Sequence, residues 1–193
     1  QIYLLEQDSA VLKIKNTIDW QERHVIVKAA FPLTVQADFA TYEMPCGAIA
    51  RSARPMADRS PREQAQWEVP ALGWADLSSD DYGVSVLSDC KHGYDCQQNQ
   101  IRLTLLRGSE FPDPEADRGI HTFTYAIYPH AKDWRSAQTV RQSCELNQPL
   151  QVFHLNDSFE ELRSDAQKSL PSSGLFLDLQ SENLVLTAFK QSE

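Results

Sequence analysis

The feature that most constrains this chain is a series of short segments in which apolar and polar residues alternate. Such alternation places the apolar side chains on one face of a β-strand, and that face must then be buried against another layer. The segments with this pattern are VLKIKNTI (11–18), HVIVKAAF (24–31), LTVQADF (33–39), YGVSVLS (82–88), IRLTLLR (101–107), IHTFTYAIY (120–128), LQVFHL (150–155), GLFLDL (174–179) and LVLTAF (184–189). Many short strands and few helices predict an all-β fold, an antiparallel β-sandwich.

The links between these segments set further limits. The short polar link 19–23 predicts a hairpin between the first two strands, and the long basic link 51–66 predicts an exposed excursion. The link 107–119 contains two Pro and several acidic residues, which excludes a central strand. Residues 133–146 predict the one short helix, because one face at helical spacing is formed by Trp134, Ala137, Val140, Arg141 and Cys144.

Composition excludes several classes of protein. The chain has 193 residues and a net charge of −9, so a phosphate backbone would be repelled and nucleic acid is not an expected partner. No apolar run reaches the roughly 18–20 residues that a membrane helix needs. The four Cys residues are too sparse for a disulfide framework, which predicts free thiols and a cytoplasmic location.

The stretch YGVSVLSDCKHGYDC (82–96) raises the question of a metal site, because it contains Cys90, His92, Asp95 and Cys96. Structural zinc is usually held by two short ligand pairs, and no second pair is present. A strand that ends near Asp89 and turns at Gly93 explains the same residues without a metal. We therefore predict no metal ligands in this chain.

Several segments together resemble the C-terminal β region of family 38 glycoside hydrolases, the α-mannosidases. The resemblance extends from about residue 12 to residue 190, with the same order and similar spacing. It rests on DWQERHVIVKAAFPL (19–33), YEMPCGAIARS (42–52), WEVPALGWADLSSDDYGVSVLSDCKHGYD (67–95), NQIRLTLLR (99–107), PDPEADRGIHTFTYAIYPH (112–130) and LNQPL (146–150). The combination of WADLS, GYD and TLLR with the spaced PDPEAD and PH motifs makes the resemblance to this family specific.

The resemblance implies a galactose-mutarotase-like super-sandwich and a retaining α-mannosidase as the parent enzyme. Such enzymes use an Asp nucleophile, an acid carboxylate and a divalent metal, usually zinc, in an N-terminal α/β catalytic domain. The His-x-Asp metal motif of that domain does not occur in this chain. We therefore expect residues 1–193 to be one sandwich domain, a piece of a longer chain that lacks the catalytic domain and is inactive alone.

The resemblance also indicates candidate site residues. Asp89, Lys91, Tyr94 and Asp95 match the family pattern, whereas Ser88 replaces the usual Asn and His92 replaces an aromatic residue. We expect these four residues to form a turn that faces the catalytic domain or the sugar cleft, although a purely structural role fits equally well. The expected partners are the catalytic domain and a mannose-containing glycan. The sequence leaves open whether the chain forms an oligomer.

Two other functions remain open at this stage. A free-standing carbohydrate-binding module would need an exposed aromatic platform for a sugar ring. A purely structural interaction domain would bind no sugar and would expose an apolar patch in the absence of its partner.

Overall fold

The computed structural model describes residues 1–152, 172–175, 177–181, 183–186 and 188–191. The chain divides into two compact units, residues 1–149 and residues 150–193. In the second unit the described residues form neither strand nor helix, so the predicted strands 150–155, 174–179 and 184–189 have no counterpart among them. The remaining residues of those three segments lie outside the described residues. The expectation of a single domain over 1–193 stays a prediction.

The first unit consists of short strands and a few short helices. The strands are β1 (Ile2–Leu5), β2 (Leu12–Trp20), β3 (Ile26–Pro32), β4 (Phe39–Met44), β5 (Gly47–Ser52), β6 (Val69–Pro70), β7 (Trp74–Ser78), β8 (Tyr82–Ser88), β9 (Gly93–Gln97), β10 (Gln100–Arg107) and β11 (Gly119–Ala131). The helices are α1 (Pro61–Ala65), α2 (Thr139–Asn147) and a 3-10 turn (Met56–Asp58). No helix of the described part of the chain is both long and apolar enough to cross a membrane.

The strands form two antiparallel sheets, as the sequence predicts. The large sheet has the order β1-β2-β11-β8-β7-β4-β5, and the small sheet has the order β3-β10-β9-β6. The predicted hairpin between β2 and β3 is wrong, because these strands belong to different sheets. The chain crosses between the sheets at the link 21–25, where the His24 amide donates to Gly108 O at 2.6 Å.

The main core lies between the two sheets. Apolar side chains from both sheets meet there, including Leu77 and Val86 from the large sheet and Ile101 and Leu103 from the small one. Two aromatic pairs cross the interface with edge-on geometry: Tyr42 with Tyr94 at 6.4 Å between ring centroids, and Phe31 with Tyr125 at 5.9 Å. Such pairs stabilise beyond the area they bury, which fixes the two sheets against each other.

A second apolar cluster covers the opposite face of the large sheet. Trp74, Leu87 and Ala126 are buried there beneath Val140 of α2 and Trp134, whose ring lies 4.9 Å from that of Trp74. The predicted helix 133–146 is confirmed only in part. Trp134 and Val140 pack against the sheet as predicted, but the helix spans Thr139–Asn147 and Arg141 is exposed. Gln138 has a φ of 53°, so the backbone immediately before α2 is left-handed and cannot continue a helix.

The predicted strand 33–39 is wrong. Val35 is buried in the main core, so the alternation correctly indicates which side chains face inward. The backbone instead bonds to the β9–β10 turn, with Leu33 N–H to Asn99 O at 2.8 Å and Ala37 N–H to Gln98 O at 3.1 Å. Spaced contacts of this kind bury alternate residues without forming a ladder.

The link 51–66 is mostly exposed, as predicted, but one Arg anchors it. Arg59 is buried and donates through Nε to Arg54 O and through Nη2 to Cys96 O, both at 2.7 Å. The short helix α1 begins at a capping box formed by Ser60 and Glu63. These contacts hold the excursion against the end of the small sheet.

The inter-sheet core predicts a clear contrast between two substitutions. Leu103→Ala removes a side chain with no exposed surface, so we expect the free energy of unfolding to fall by about 2–5 kcal/mol. Ile120→Ala alters a residue that is 76% exposed, and we expect a change within about 0.5 kcal/mol. Chemical denaturation measures both. Equal effects would contradict the assignment of the core.

Candidate functional site

The turn 89–92 connects β8 to β9 and contains two of the predicted site residues. Asp89 extends the pairing with β11, since its N–H donates to Thr124 O at 3.1 Å and its Oδ2 accepts the Thr124 N–H at 2.7 Å. Ser88 Oγ accepts the Lys91 N–H at 2.9 Å. The backbone of the turn is thus tied to β11 on one side and closed by a Ser hydroxyl on the other.

Lys91 and His92 occupy the outer part of this turn. The Lys91 ammonium lies 4.5 Å from the centroid of the Phe123 ring, a cation–π contact. His92 is exposed, and its Nδ1 lies 3.1 Å from Leu72 O. The side chain of Asp89 is exposed as well, so this turn presents charged groups to solvent.

Tyr94 and Asp95 point in opposite directions, because successive residues of a strand face opposite sides of a sheet. Tyr94 is fully buried in the inter-sheet core. Asp95 lies on the outer face of the small sheet. The structure therefore brings Asp89 and Lys91 together but does not join them to Tyr94 and Asp95 in one site.

Asp95 is the centre of an ion-pair cluster. Its two oxygens lie 2.6 Å from Lys28 Nζ and 2.6 Å from Arg102 Nε, although the Asp95 side chain is only 3% exposed. Lys28 also lies 3.4 Å from Glu68 and 5.0 Å from the half-exposed ring of Trp67. A carboxylate this deeply buried requires such partners, so the cluster ties β3, β9 and β10 together across the outer face.

The two cysteines of the stretch 82–96 lie in different environments. Cys96 is buried in the main core, whereas Cys90 is exposed in the turn. In the part of the chain that the structure describes, no three His, Cys, Asp or Glu side chains are placed to hold a metal ion. Partial burial, followed by the adjacent Asp89 carboxylate, raises the pKa of the Cys90 thiol to about 11. This shift disfavours the thiolate that a metal would need.

A cleft of about 240 Å³ lies beside the turn, between the end of β4, the start of β7 and the last turn of α2. We call it the Glu43 cleft. Its polar lining includes Glu43, Asp89, His92, Cys144 and Asn147. Glu43 Oε2 accepts the Gly73 N–H at 2.6 Å, and Asn147 Nδ2 donates to Ser88 O at 3.2 Å. These two bonds fix opposite walls of the cleft.

A buried polar network lies under α2, and sequence reasoning missed it as a unit. Asp76 Oδ2 lies 2.8 Å from His130 Nε2 and accepts from Ser85 Oγ at 2.8 Å, while Oδ1 accepts from Ser78 Oγ at 2.7 Å. Ser85 Oγ also lies 2.8 Å from Thr139 Oγ1, at the first residue of α2. The available signal was that the WADLS motif contains Asp76 and Ser78 and that the PH motif contains His130.

This network contains Ser, His and Asp but does not have the geometry of a hydrolase triad. In a triad the His lies between the nucleophile and the carboxylate and uses different nitrogens for each. Here Ser85 and the single nitrogen Nε2 of His130 both bond the same oxygen of Asp76, and Ser85 has no exposed surface. The arrangement joins α2 to the large sheet. The His130 ring packs directly against Gly83, because a Cβ at that position would lie only 2.5 Å from His130 Cε1.

Comparison with known protein families finds a match over the first part of the chain. The model described as "Glycosyl hydrolases family 38 C-terminal domain" matches residues 1–115 of this chain.

Three relatives are similar over much of the chain. "Alpha-mannosidase G" of Dictyostelium discoideum is 31% identical over 193 residues, which cover all of this chain and 17% of that protein. "Alpha-mannosidase 2C1" of Homo sapiens is 34% identical over 78% of this chain and 14% of its own length. "Alpha-mannosidase" of Saccharomyces cerevisiae is 38% identical over 69% of this chain and 12% of its own length. This chain thus spans less than a fifth of each relative.

A solved structure has the same fold. The crystal structure of an alpha-mannosidase from Enterococcus faecalis V583 superposes with a TM-score of 0.68 at 19% identity. The match covers 76% of this chain and 17% of that one.

The Asp95 cluster predicts a large loss of stability when its carboxylate is removed. Asp95→Ala leaves Lys28 and Arg102 without their shared partner, so we expect the free energy of unfolding to fall by about 3–5 kcal/mol. Glu6→Ala removes an exposed partner of Lys13 and serves as the control, with an expected loss within about 1 kcal/mol. Urea denaturation compares them. A small loss for Asp95→Ala would mean that the cluster contributes little.

The raised pKa of Cys90 predicts a steep dependence of thiol reactivity on pH. Only the thiolate is alkylated, so the iodoacetamide rate at Cys90 should rise about tenfold per pH unit from about pH 7 to about pH 10. Asp89→Asn removes a charge that raises this pKa and keeps an acceptor for the Thr124 N–H, so the rate near pH 8 should increase. Peptide mass spectrometry follows Cys90 separately. A rate that levels off by about pH 9 would contradict the raised pKa.

Proposed function

This chain belongs to glycosyl hydrolases family 38, through the C-terminal domain of that family, and from this premise we propose that it is the accessory β-domain of a retaining α-mannosidase. In this proposal the parent enzyme hydrolyses terminal α-mannosides in glycans. The domain packs against the N-terminal catalytic domain and completes the substrate cleft. It does not turn over mannosides alone.

The observation that carries the proposal is the alignment of the whole chain with a minor part of a much longer α-mannosidase. All 193 residues align with "Alpha-mannosidase G" at 31% identity, and they account for 17% of that protein. A domain of this size within a large enzyme contributes through the surfaces that it presents to the rest of the polypeptide.

The surface best suited to this role is the turn 89–92. Its backbone is fixed by Thr124 and Ser88, while the side chains of Asp89 and His92 are exposed. A preformed turn loses little conformational entropy when it meets a partner. We therefore place Asp89 and Lys91 against the catalytic domain or the glycan, with Tyr94 and Asp95 supporting the turn and the sheet behind it.

The proposal also includes a divalent metal in the catalytic domain and a cytoplasmic location. The family resemblance assigns a divalent metal, usually zinc, to the catalytic domain, and the described residues of this chain form no group suited to hold one. All four cysteines are free, which supports a reducing compartment such as the cytoplasm.

One observation favours a second function, a carbohydrate-binding module. Trp67 is 50% exposed at the edge of the outer face of the small sheet, beside the charged groups of Lys28 and Glu68. An aromatic ring flanked by fixed polar groups is a surface on which a sugar ring can stack. Mannose binding by this chain alone, lost in Trp67→Ala, would support this alternative.

Hydrolysis of an aryl α-mannoside tests the proposed function. We expect no turnover by residues 1–193, and turnover by a longer polypeptide that carries them together with the catalytic domain. In that polypeptide, Lys91→Ala should lower kcat/KM about tenfold or more, because it removes a contact at the cleft or domain interface. Lys13→Ala, which alters an exposed ion pair with Glu6, is the control and should leave kcat/KM unchanged.

Turnover by residues 1–193 alone would place chemistry in this domain and overturn the accessory role. An unchanged kcat/KM in Lys91→Ala would remove the turn from the site while leaving the accessory role intact.

A further inference from the structure

The small sheet does not cover the whole of the large sheet. The large sheet has seven strands and the small sheet has four. Phe31 of β3 contacts Tyr125 of β11, with 5.9 Å between the ring centroids, so the β3 edge of the small sheet lies close to β11. In the large sheet β2 and then β1 lie beyond β11 on that side. The outermost strand, β1, therefore extends past the edge of the small sheet.

Two large side chains of β1 are exposed on the side of the sheet that faces the core. Tyr3 pairs with Ile14, and residues that are paired in this way lie on the same face of the sheet. Leu5, two residues further on, shares that face with Tyr3. Ile14 is buried in the main core, whereas Tyr3 is 62% exposed and Leu5 is 63% exposed. The core-facing side of β1 is thus an uncovered apolar surface.

The strand β3 borders this uncovered surface. In the described part of the chain β3 pairs with β10 only, so its other edge presents backbone N–H and C=O groups. Ala29 and Phe31 face the core but are only partly buried. Their partners on β10, Leu103 and Ile101, have no exposed surface. Burial in the small sheet therefore decreases toward β3, and we call the region between β1 and the outer edge of β3 the open side.

The opposite side of the sandwich is closed by the chain itself. The link 53–68 runs from β5 to β6, which are the far edge strands of the two sheets. Within this link Ala53 is fully buried in the main core, and Arg59 donates to Cys96 O of β9 at 2.7 Å. The exposure of Tyr3 and Leu5 shows that the described residues provide no comparable cover on the open side.

We propose that a β-strand of the parent polypeptide, from outside residues 1–193, pairs with the outer edge of β3 and covers Tyr3 and Leu5. This inference rests on the proposed function, because it takes the chain to be one domain of a longer α-mannosidase. A strand added to β3 lies about 4.8 Å from it, on the side of β3 where β1 is uncovered. Its backbone completes the hydrogen bonds of the β3 edge, and its alternate apolar side chains pack on β1.

The rest of the parent polypeptide fits this place better than a second copy of the chain does. Residues 1–193 account for 17% of "Alpha-mannosidase G", so most of such a polypeptide lies outside them. A strand on the same polypeptide has a high effective concentration at β3. Two copies of this chain would each carry a net charge of −9, which opposes their association.

Deuterium exchange at the amides of residues 26–31, followed by peptide mass spectrometry, tests the pairing. Alternate amides of an edge strand have no partner strand, so roughly half of them should exchange rapidly in residues 1–193. In the longer polypeptide those amides should exchange at least about tenfold more slowly, because the added strand accepts their hydrogen bonds. The control is β10, which pairs with β3 and β9 and should change far less.

The other occupants of the open side give different results. Rapid exchange in both proteins would mean that the edge of β3 stays unpaired and would overturn the proposal. Slow exchange in residues 1–193 that becomes faster on dilution would identify a second copy as the occupant. Slow exchange that does not depend on concentration would identify residues 150–193 instead. Either form of slow exchange overturns the assignment to the rest of the polypeptide.

A substitution on β1 tests whether the added strand also covers this surface. In the longer polypeptide, Leu5→Asp should accelerate exchange at residues 26–31 about tenfold or more, because it places a carboxylate beneath the added strand. In residues 1–193 alone the same change should have little effect, because Leu5 is already exposed. Ile120→Asp adds the same charge at a residue of β11 that is 76% exposed, and it should leave the exchange unchanged.

A second variant and a separate readout keep the test decisive. Tyr3→Asp replaces Leu5→Asp if that variant fails to fold, and unchanged exchange in both variants would overturn the covering of β1. Mannoside hydrolysis is measured on the same longer polypeptide. An active enzyme with a rapidly exchanging β3 contradicts only this inference, and an inactive one with a protected β3 contradicts only the proposed function.

Discussion

The apolar layer between the two sheets determines where every other feature of the domain can lie. Its aromatic pairs, Tyr42 with Tyr94 and Phe31 with Tyr125, require the intervening residues of each strand to face outward. Asp95 follows Tyr94 and is therefore directed to the outer face of the small sheet, where Lys28 and Arg102 satisfy it. The charged residues of this domain are thus arranged by the packing behind them.

The network beneath α2 connects the second face of the large sheet to the proposed binding surface. Asp76 accepts hydrogen bonds from β7 and β8, and the Ser85 hydroxyl also forms a hydrogen bond with Thr139 at the start of α2. Because α2 is anchored at this end, its last turn is held beside β4 and the turn 89–92, where it forms one wall of the Glu43 cleft. A buried polar network that is fully satisfied specifies one arrangement of this kind.

The sequence predicts the strands well where alternation coincides with a ladder, as at β8, whose bounds agree to the residue. It fails at 33–39, where Val35 is buried in alternation but the backbone bonds to a turn, because periodicity reports burial and not pairing. The predicted pairing of β2 with β3 is wrong because the length of a link does not determine which sheet the next strand joins. Among the site residues, alternation applied to β9 would have separated Tyr94 from Asp95.

The turn 89–92 is held from three directions. Thr124 of β11 bonds Asp89, Ser88 closes the turn from within, and the link before β7 bonds His92, whose O accepts the Ala71 N–H at 3.0 Å. Rigid surfaces associate with less loss of conformational entropy than mobile ones. The exposed charges of this turn and the Glu43 carboxylate beside it therefore form one preorganised polar surface.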